Sequence, residues 1–138
     1  MEDDCIFCAI AAGRIPSCKI HEDENVLAYL DINPFAEGHT LVIPKKHSRG
    51  LLDTPDETLA TVVSAVKRVA ARLKEALPCD GFNILQNNGA AAGQSVNHLH
   101  FHIVPRYASA PADGTSLSFS GRQAEIPALA ALAARLKF

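Results

Sequence analysis

The chain has 138 residues, 48% of them hydrophobic and 20% charged, with a net charge of −2; that suits one folded domain with its own core and argues against disorder. Lysine and arginine form no run longer than Lys45-Lys46, which leaves no footprint for duplex nucleic acid or an anionic membrane, although a single nucleotide needs only a pocket. No stretch approaches the roughly 18 apolar residues of a membrane span, and Glu2-Asp3-Asp4 is the wrong charge for a signal peptide.

In chain order, Cys5–Ala12 reads as a short helix stopped by Gly13. Lys19–His21 and Val26–Leu30 read as strands around the acidic turn Glu22–Asn25, and Asn33-Pro34 breaks the second. Thr40–Ile43 is a third strand, closed by Pro44. Thr54-Pro55-Asp56-Glu57 reads as a helix start, with Thr54 as the cap, Pro55 in the first helical position and Glu57 completing a capping box. Leu59, Val62, Val63, Val66, Val69, Ala70, Leu73 and Leu77 then recur every three or four residues until Pro78. Gly81–Gln86 is a fourth strand, Asn87–Gly93 a glycine-rich loop, and Leu99–Val104 a fifth strand stopped by Pro105. Ser109–Gly121 is polar and irregular, and Pro127–Lys137 is an Ala- and Leu-rich helix. Strands and helices in blocks predict an α+β domain, an antiparallel sheet with a long helix on one face. The order of strands in the sheet does not follow from the pattern.

The run Asn97-His98-Leu99-His100-Phe101-His102-Ile103-Val104 carries the chemistry. Side chains on a strand alternate between faces, so Leu99, Phe101 and Ile103 face one way and three imidazoles the other. The apolar face covers a core. One buried histidine is ordinarily a hydrogen-bonded core residue, but three at period two make a poor packing surface. A three-histidine metal site of the hydrolytic type fits the spacing too. The loop just before the strip favours phosphate: Gly89 and Gly93 let backbone N–H groups turn toward an anion, and Asn87, Gln94 and Ser95 supply short donors. A neutral imidazole is a good nucleophile toward phosphorus, and its ordinary pKa of about 6.5 keeps it mostly neutral near pH 7. Cys5-Ile6-Phe7-Cys8 is half of a zinc site or a redox pair. Nothing in the sequence directs export, so a reducing cytoplasmic setting is the expectation; there such a pair more often binds metal or does redox work than forms a disulfide.

His98-x-His100-x-His102 followed by two hydrophobic residues and preceded by Gly93-Gln94-Ser95-Val96 resembles the signature of the histidine-triad family. The match extends through Asp31-Ile32-Asn33-Pro34, through Gly38–His47 and through Cys5–Cys8, covering about residues 5–107. The rest, 108–138, carries no motif, and the whole reads as one domain, 1–138. The resemblance implies a homodimer with a five-stranded antiparallel sheet in each chain. It also implies nucleotide hydrolase or transferase activity at the α-phosphorus of purine nucleoside monophosphate derivatives, such as adenosine phosphoramidates or dinucleoside polyphosphates. His100 would be the nucleophile, with His98, His102 and His39 beside it and Ser95 near the leaving group. Asn87 and the Gly93–Ser95 backbone, with Gln94, would face the phosphate. Asp31 would accept from the ribose, and Ile6, Phe7, Ile10 and Ile32 would line a slot for the base. Cys5, Cys8, His47 and His98 would hold a structural zinc, with no organic cofactor. Each residue has a plain alternative: Asp31 could cap a turn, and the four apolar residues could be ordinary core. At the level of function, a nucleotide-binding scaffold with low turnover and a zinc-dependent hydrolase are the alternatives.

Overall fold

The computed structural model describes residues 4–108 and 119–138. The elements run α1 (Ile6–Ala11), β1 (Lys19–Glu22), β2 (Val26–Leu30), β3 (Thr40–Pro44), α2 (Asp56–Ala76), β4 (Gly81–Leu85), β5 (Phe101–Arg106) and α3 (Ile126–Leu136), with one 3₁₀ turn at Ala90–Ala92 between β4 and β5. The five strands form one antiparallel sheet in the order β1-β2-β3-β5-β4. Helix α2 lies across β2, β3 and β5, and α3 packs on α2, β1 and β2.

Alternation on the strands divides the apolar residues between two cores. On the α2 side, Val26, Ala28, Leu30, Val42, Leu99, Phe101 and Ile103 meet the periodic stripe Val62, Val66, Val69 and Leu73. The other face carries a smaller cluster: Leu27, Tyr29, Leu41 and Ile43 from the sheet, covered by Phe7 and Ile10 of α1. His98, His100 and His102 lie on this second face.

Three local expectations are corrected. Thr54 does not cap α2: its hydroxyl donates to the Gly50 carbonyl at 2.6 Å and lies 2.7 Å from Ser48 Oγ, so it braces the loop before the helix. Pro55, not Thr54, occupies the N-cap position, and no side chain caps the helix. The fifth strand begins at Phe101 and runs through Pro105 to Arg106. Strand pairing starts later than the histidine periodicity because the Leu99 N–H is taken by Ser48 O at 2.8 Å and the His98 N–H by Val96 O at 2.9 Å. Pro44 likewise belongs to β3. Of the segment read as irregular, 109–118 lies outside the described residues, and 119–121 has no regular structure.

Candidate active site and metal centre

Alternation holds across the start of β5. Leu99 and Ile103 are fully buried under α2, while His98, His100 and His102 point to the α1 face. Each imidazole has one ring nitrogen committed to a neighbour, and that commitment fixes what the other nitrogen can do.

His100 Nδ1 lies 2.7 Å from the carbonyl of His98. A carbonyl only accepts, so Nδ1 carries the hydrogen and Nε2 keeps its lone pair. His100 is 3% exposed, packed edge-on by the Phe7 ring with centroids 5.0 Å apart. Burial holds its pKa below the ordinary imidazole value, which keeps the lone pair available.

His39 and His102 form a relay. The Phe35 N–H donates to His39 Nδ1 at 3.0 Å, so His39 must carry its hydrogen on Nε2. That nitrogen lies 2.9 Å from His102 Nδ1 and donates to it. His102 is thereby left with its hydrogen on Nε2, a neutral donor beside His100, whose ring centroid is 5.1 Å away. Burial, reinforced by His100 and His39, pushes His102 down to about 4. Burial also lowers His39, against the pull of Asp31. Asp31 Oδ2 stands 3.6 Å from His39 Nε2, while Oδ1 accepts the Asn33 N–H at 2.8 Å, so Asp31 does hold a turn as well as face the site.

His98 is arranged the opposite way. Its Nε2 donates to the Pro44 carbonyl at 2.8 Å, so the Nδ1 lone pair faces the cysteines. Cys5 Sγ is 3.4 Å from His98 Nδ1, Cys8 Sγ is 3.5 Å from it, and Cys8 Sγ is 3.3 Å from His47 Nδ1. All four ligand atoms lie within 4.8 Å of one another. Sulfur and nitrogen ligands on one tetrahedral zinc stand about 3.5 Å apart, so this donor set fits zinc closely.

Two other metal readings fail on the same grounds. The three triad imidazoles do not converge, since His98 turns to the thiols while His102 turns to His39. Asp31, His39 and His102 do cluster, but the Phe35 N–H keeps the hydrogen on the nitrogen of His39 that would have to bind.

The loop before β5 differs in detail from its sequence reading. Gly89 and Gly93 take φ of 89° and 93°, a region open to glycine. The Gly93 and Gln94 N–H groups, however, donate inside the loop, to Ala90 O and Gly89 O. The Gln94 amide donates to Arg49 O and Val96 O and accepts the Gly89 N–H. Gln94 therefore shapes the loop. Asn87 is half-buried, with its amide against Gly93, and Ser95 is exposed.

Of the four apolar residues expected along a base slot, Phe7 and Ile10 are buried in the smaller cluster of this face, whereas Ile6 is 48% and Ile32 50% exposed. Phe35 and Pro44 were missed as site residues, because both act through backbone atoms, which no residue type advertises.

A strip of histidines on one face of an antiparallel sheet, with a Cys/His cluster at one end, defines a histidine-triad domain, and comparison bears this out. The HIT domain model matches residues 12–109, so the chain belongs to the histidine-triad family. A HIT-like protein of Methanocaldococcus jannaschii, uncharacterised, is 54% identical over 103 residues, 75% of this chain and 79% of that protein. An Arabidopsis thaliana protein named adenylylsulfatase is 44% identical over 106 residues, 77% of this chain and 54% of its own length. The crystal structure of a Zn-bound histidine triad family protein from Mycobacterium smegmatis superposes with a TM-score of 0.81 at 46% identity, covering 96% of this chain and 93% of that one.

Proposed function

We propose that the protein is a nucleotidyl hydrolase or transferase acting at the α-phosphorus of purine nucleoside monophosphate derivatives. The observation that carries this reading is the His100 tautomer. With Nδ1–H held by the His98 carbonyl, Nε2 attacks phosphorus, a P–N bond forms and the bond to the leaving group breaks. The ring then bears positive charge, which the His98 carbonyl 2.7 Å away stabilises. Water next attacks the same phosphorus and its proton ends on the departed leaving group; the P–N bond breaks with its electron pair returning to Nε2, so His100 regains its starting form. His102 Nε2–H, fixed by the His39 relay, donates to the phosphoryl oxygens with Asn87 beside it. Ser95 serves the leaving group, Asp31 the ribose hydroxyls, and Ile6, Phe7, Ile10 and Ile32 the base. The bond to the leaving group in phosphoramidates, dinucleoside polyphosphates and the adenylyl sulfate implied by the named relative presents the same α-phosphorus to His100.

Cys5, Cys8, His47 and His98 would hold zinc, which when bound supplies a cross-link rather than reaction chemistry. The backbone of His98 carries the carbonyl that orients His100, so the cross-link steadies the nucleophile. The working form is a homodimer joined at β4. This edge strand exposes Phe82 and Ile84, each 42%, on the α2 side of the sheet, where Val63 of α2 is 47% exposed. The expected setting is a reducing cytoplasm, which keeps the Cys5 and Cys8 thiols available to the metal.

Stereochemistry tests the central claim. A substrate chiral at the α-phosphorus, hydrolysed in labelled water, should give overall retention, the sum of two inversions. Inversion would mean direct attack by water and would make His100 a general base.

A further inference from the structure

Residues 119–124 come after the motif-bearing part of the chain, and the structure lays them across the turn between β2 and β3. The Ala124 N–H donates to the Ile32 carbonyl at 2.7 Å. Gly121 lies so close to the Asn33 and Pro34 carbonyl oxygens that a Cβ there would fall on both. The Phe119 ring meets the Phe35 ring edge-on at 6.3 Å. Arg106 braces Phe119 in turn. It stands four residues beyond His102 on β5 and so on the same face. Its guanidinium lies 5.1 Å from the centre of the Phe119 ring, and its Nε donates to Asn83 Oδ1 at 2.7 Å.

On its other side Phe35 is joined to the relay. Its ring lies 4.5 Å from that of His39 and nearly parallel to that of His102 at 6.2 Å, and its N–H donates to His39 Nδ1 at 3.0 Å. That N–H selects between two neutral arrangements of the histidine pair. With it in place, His39 donates to His102, and His102 Nε2 carries a hydrogen. With it turned away, the His39 hydrogen can move to Nδ1. His102 then donates from Nδ1, and its Nε2 faces the site bare. A hydrogen bond weakens steeply with angle, and Phe35 sits in a turn rather than a strand, so the selection depends on what holds the turn. The Tyr107 hydroxyl holds the far arm, donating to the Glu37 carbonyl at 2.8 Å. Asp31 and residues 119–124 hold the near arm.

Resting on the catalytic reading above for the role of His102, we propose that Phe119, pinned by Gly121 and Arg106, is a positioning residue that sets the His39–His102 relay through Phe35. The stretch without a motif then belongs to the working site, although it touches neither phosphorus nor nucleophile.

The test is long-range proton–nitrogen NMR on the zinc-loaded full chain with nitrogen-labelled histidines, as wild type and as Phe119→Ala, Gly121→Ala and Phe119→Tyr. Wild type should show His39 and His102 each as one tautomer, with the hydrogen on Nε2. Phe119→Ala and Gly121→Ala should move both to averaged shifts while His98 and His100 stay in place, and Phe119→Tyr should restore the single tautomers. With an adenosine phosphoramidate as substrate, kcat of the first two variants should fall about tenfold with KM unchanged. Single tautomers that persist in both Phe119→Ala and Gly121→Ala overturn the proposal. So do shifts that spread equally to His98 and His100, which would report general loosening of the site. A wild type that turns over no such nucleotide overturns the catalytic reading alone, because the spectra decide the role of Phe119 without substrate.

Discussion

At the scale of single residues, the site shows one side chain put to three uses by its hydrogen-bond partner. A carbonyl on Nδ1 makes His100 a nucleophile, a carbonyl on Nε2 makes His98 a ligand, and an imidazole on Nδ1 makes His102 a donor. The depressed His102 has a consequence for stability. The folded chain keeps it neutral down to about pH 4, while the unfolded chain takes up its proton near the ordinary value of 6.5. Between those values the unfolded state binds more protons, so the stability due to neutral His102 is complete above 6.5 and is lost as the pH falls toward about 4. Thermal melts across this window should show an acid slope that His102→Asn reduces by up to about one proton. Equal slopes would return His102 to the ordinary imidazole range. The histidine strip was legible in the sequence because period two is a local signal. The tautomers were not, because they depend on the Pro44 carbonyl and the Phe35 N–H, which only the fold brings to His98 and His39.

At the scale of elements, α1 is the one that cannot stand alone. It has six residues, no acidic residue in its first turn and no basic residue in its last, and a helix so short is marginal without tertiary support. Its support is the packing of Phe7 and Ile10 and the two cysteines at its start, where Cys5 Sγ also accepts the Cys8 N–H at 3.3 Å. Cys8→Ser should therefore remove one zinc per chain and lower Tm by about 5–10 °C. Turnover should fall only in part. Metal analysis with calorimetry checks this, and zinc that survives the substitution would move the site elsewhere. The long helix was legible through its apolar stripe, but its start was misread. The Thr54 hydroxyl had a nearer acceptor in Gly50 O, and a capping box is a local pattern that a loop contact can outbid. The glycine dependence of the loop before β5 was legible, but not the internal hydrogen bonds by which the 3₁₀ turn and Gln94 engage the Gly89, Gly93 and Gln94 N–H groups.

At the scale of the whole molecule, the two edges of the sheet are treated differently. Edge β4 leaves Phe82 and Ile84 exposed. Replacing both with lysine should give a monomer by light scattering after size exclusion while wild type runs as a dimer; a wild-type monomer would end the proposal. Edge β1 is occupied instead: the Phe138 N–H donates to the Ile20 carbonyl at 3.0 Å, the Phe138 ring stacks on His21 at 4.7 Å, and Lys19, Glu22 and Lys45 are linked by ion pairs along it. His21 is half-buried by this contact.

A strip with two adhesive rims could add copies without limit, each new subunit offering a fresh rim to the next. Blunting β1 leaves a single adhesive rim per copy, and two such rims can only satisfy each other. On the pairing through β4 proposed above, growth halts at a symmetric pair, and the residues that pack beside β1, far from any histidine of the triad, would act as the stop against fibre formation.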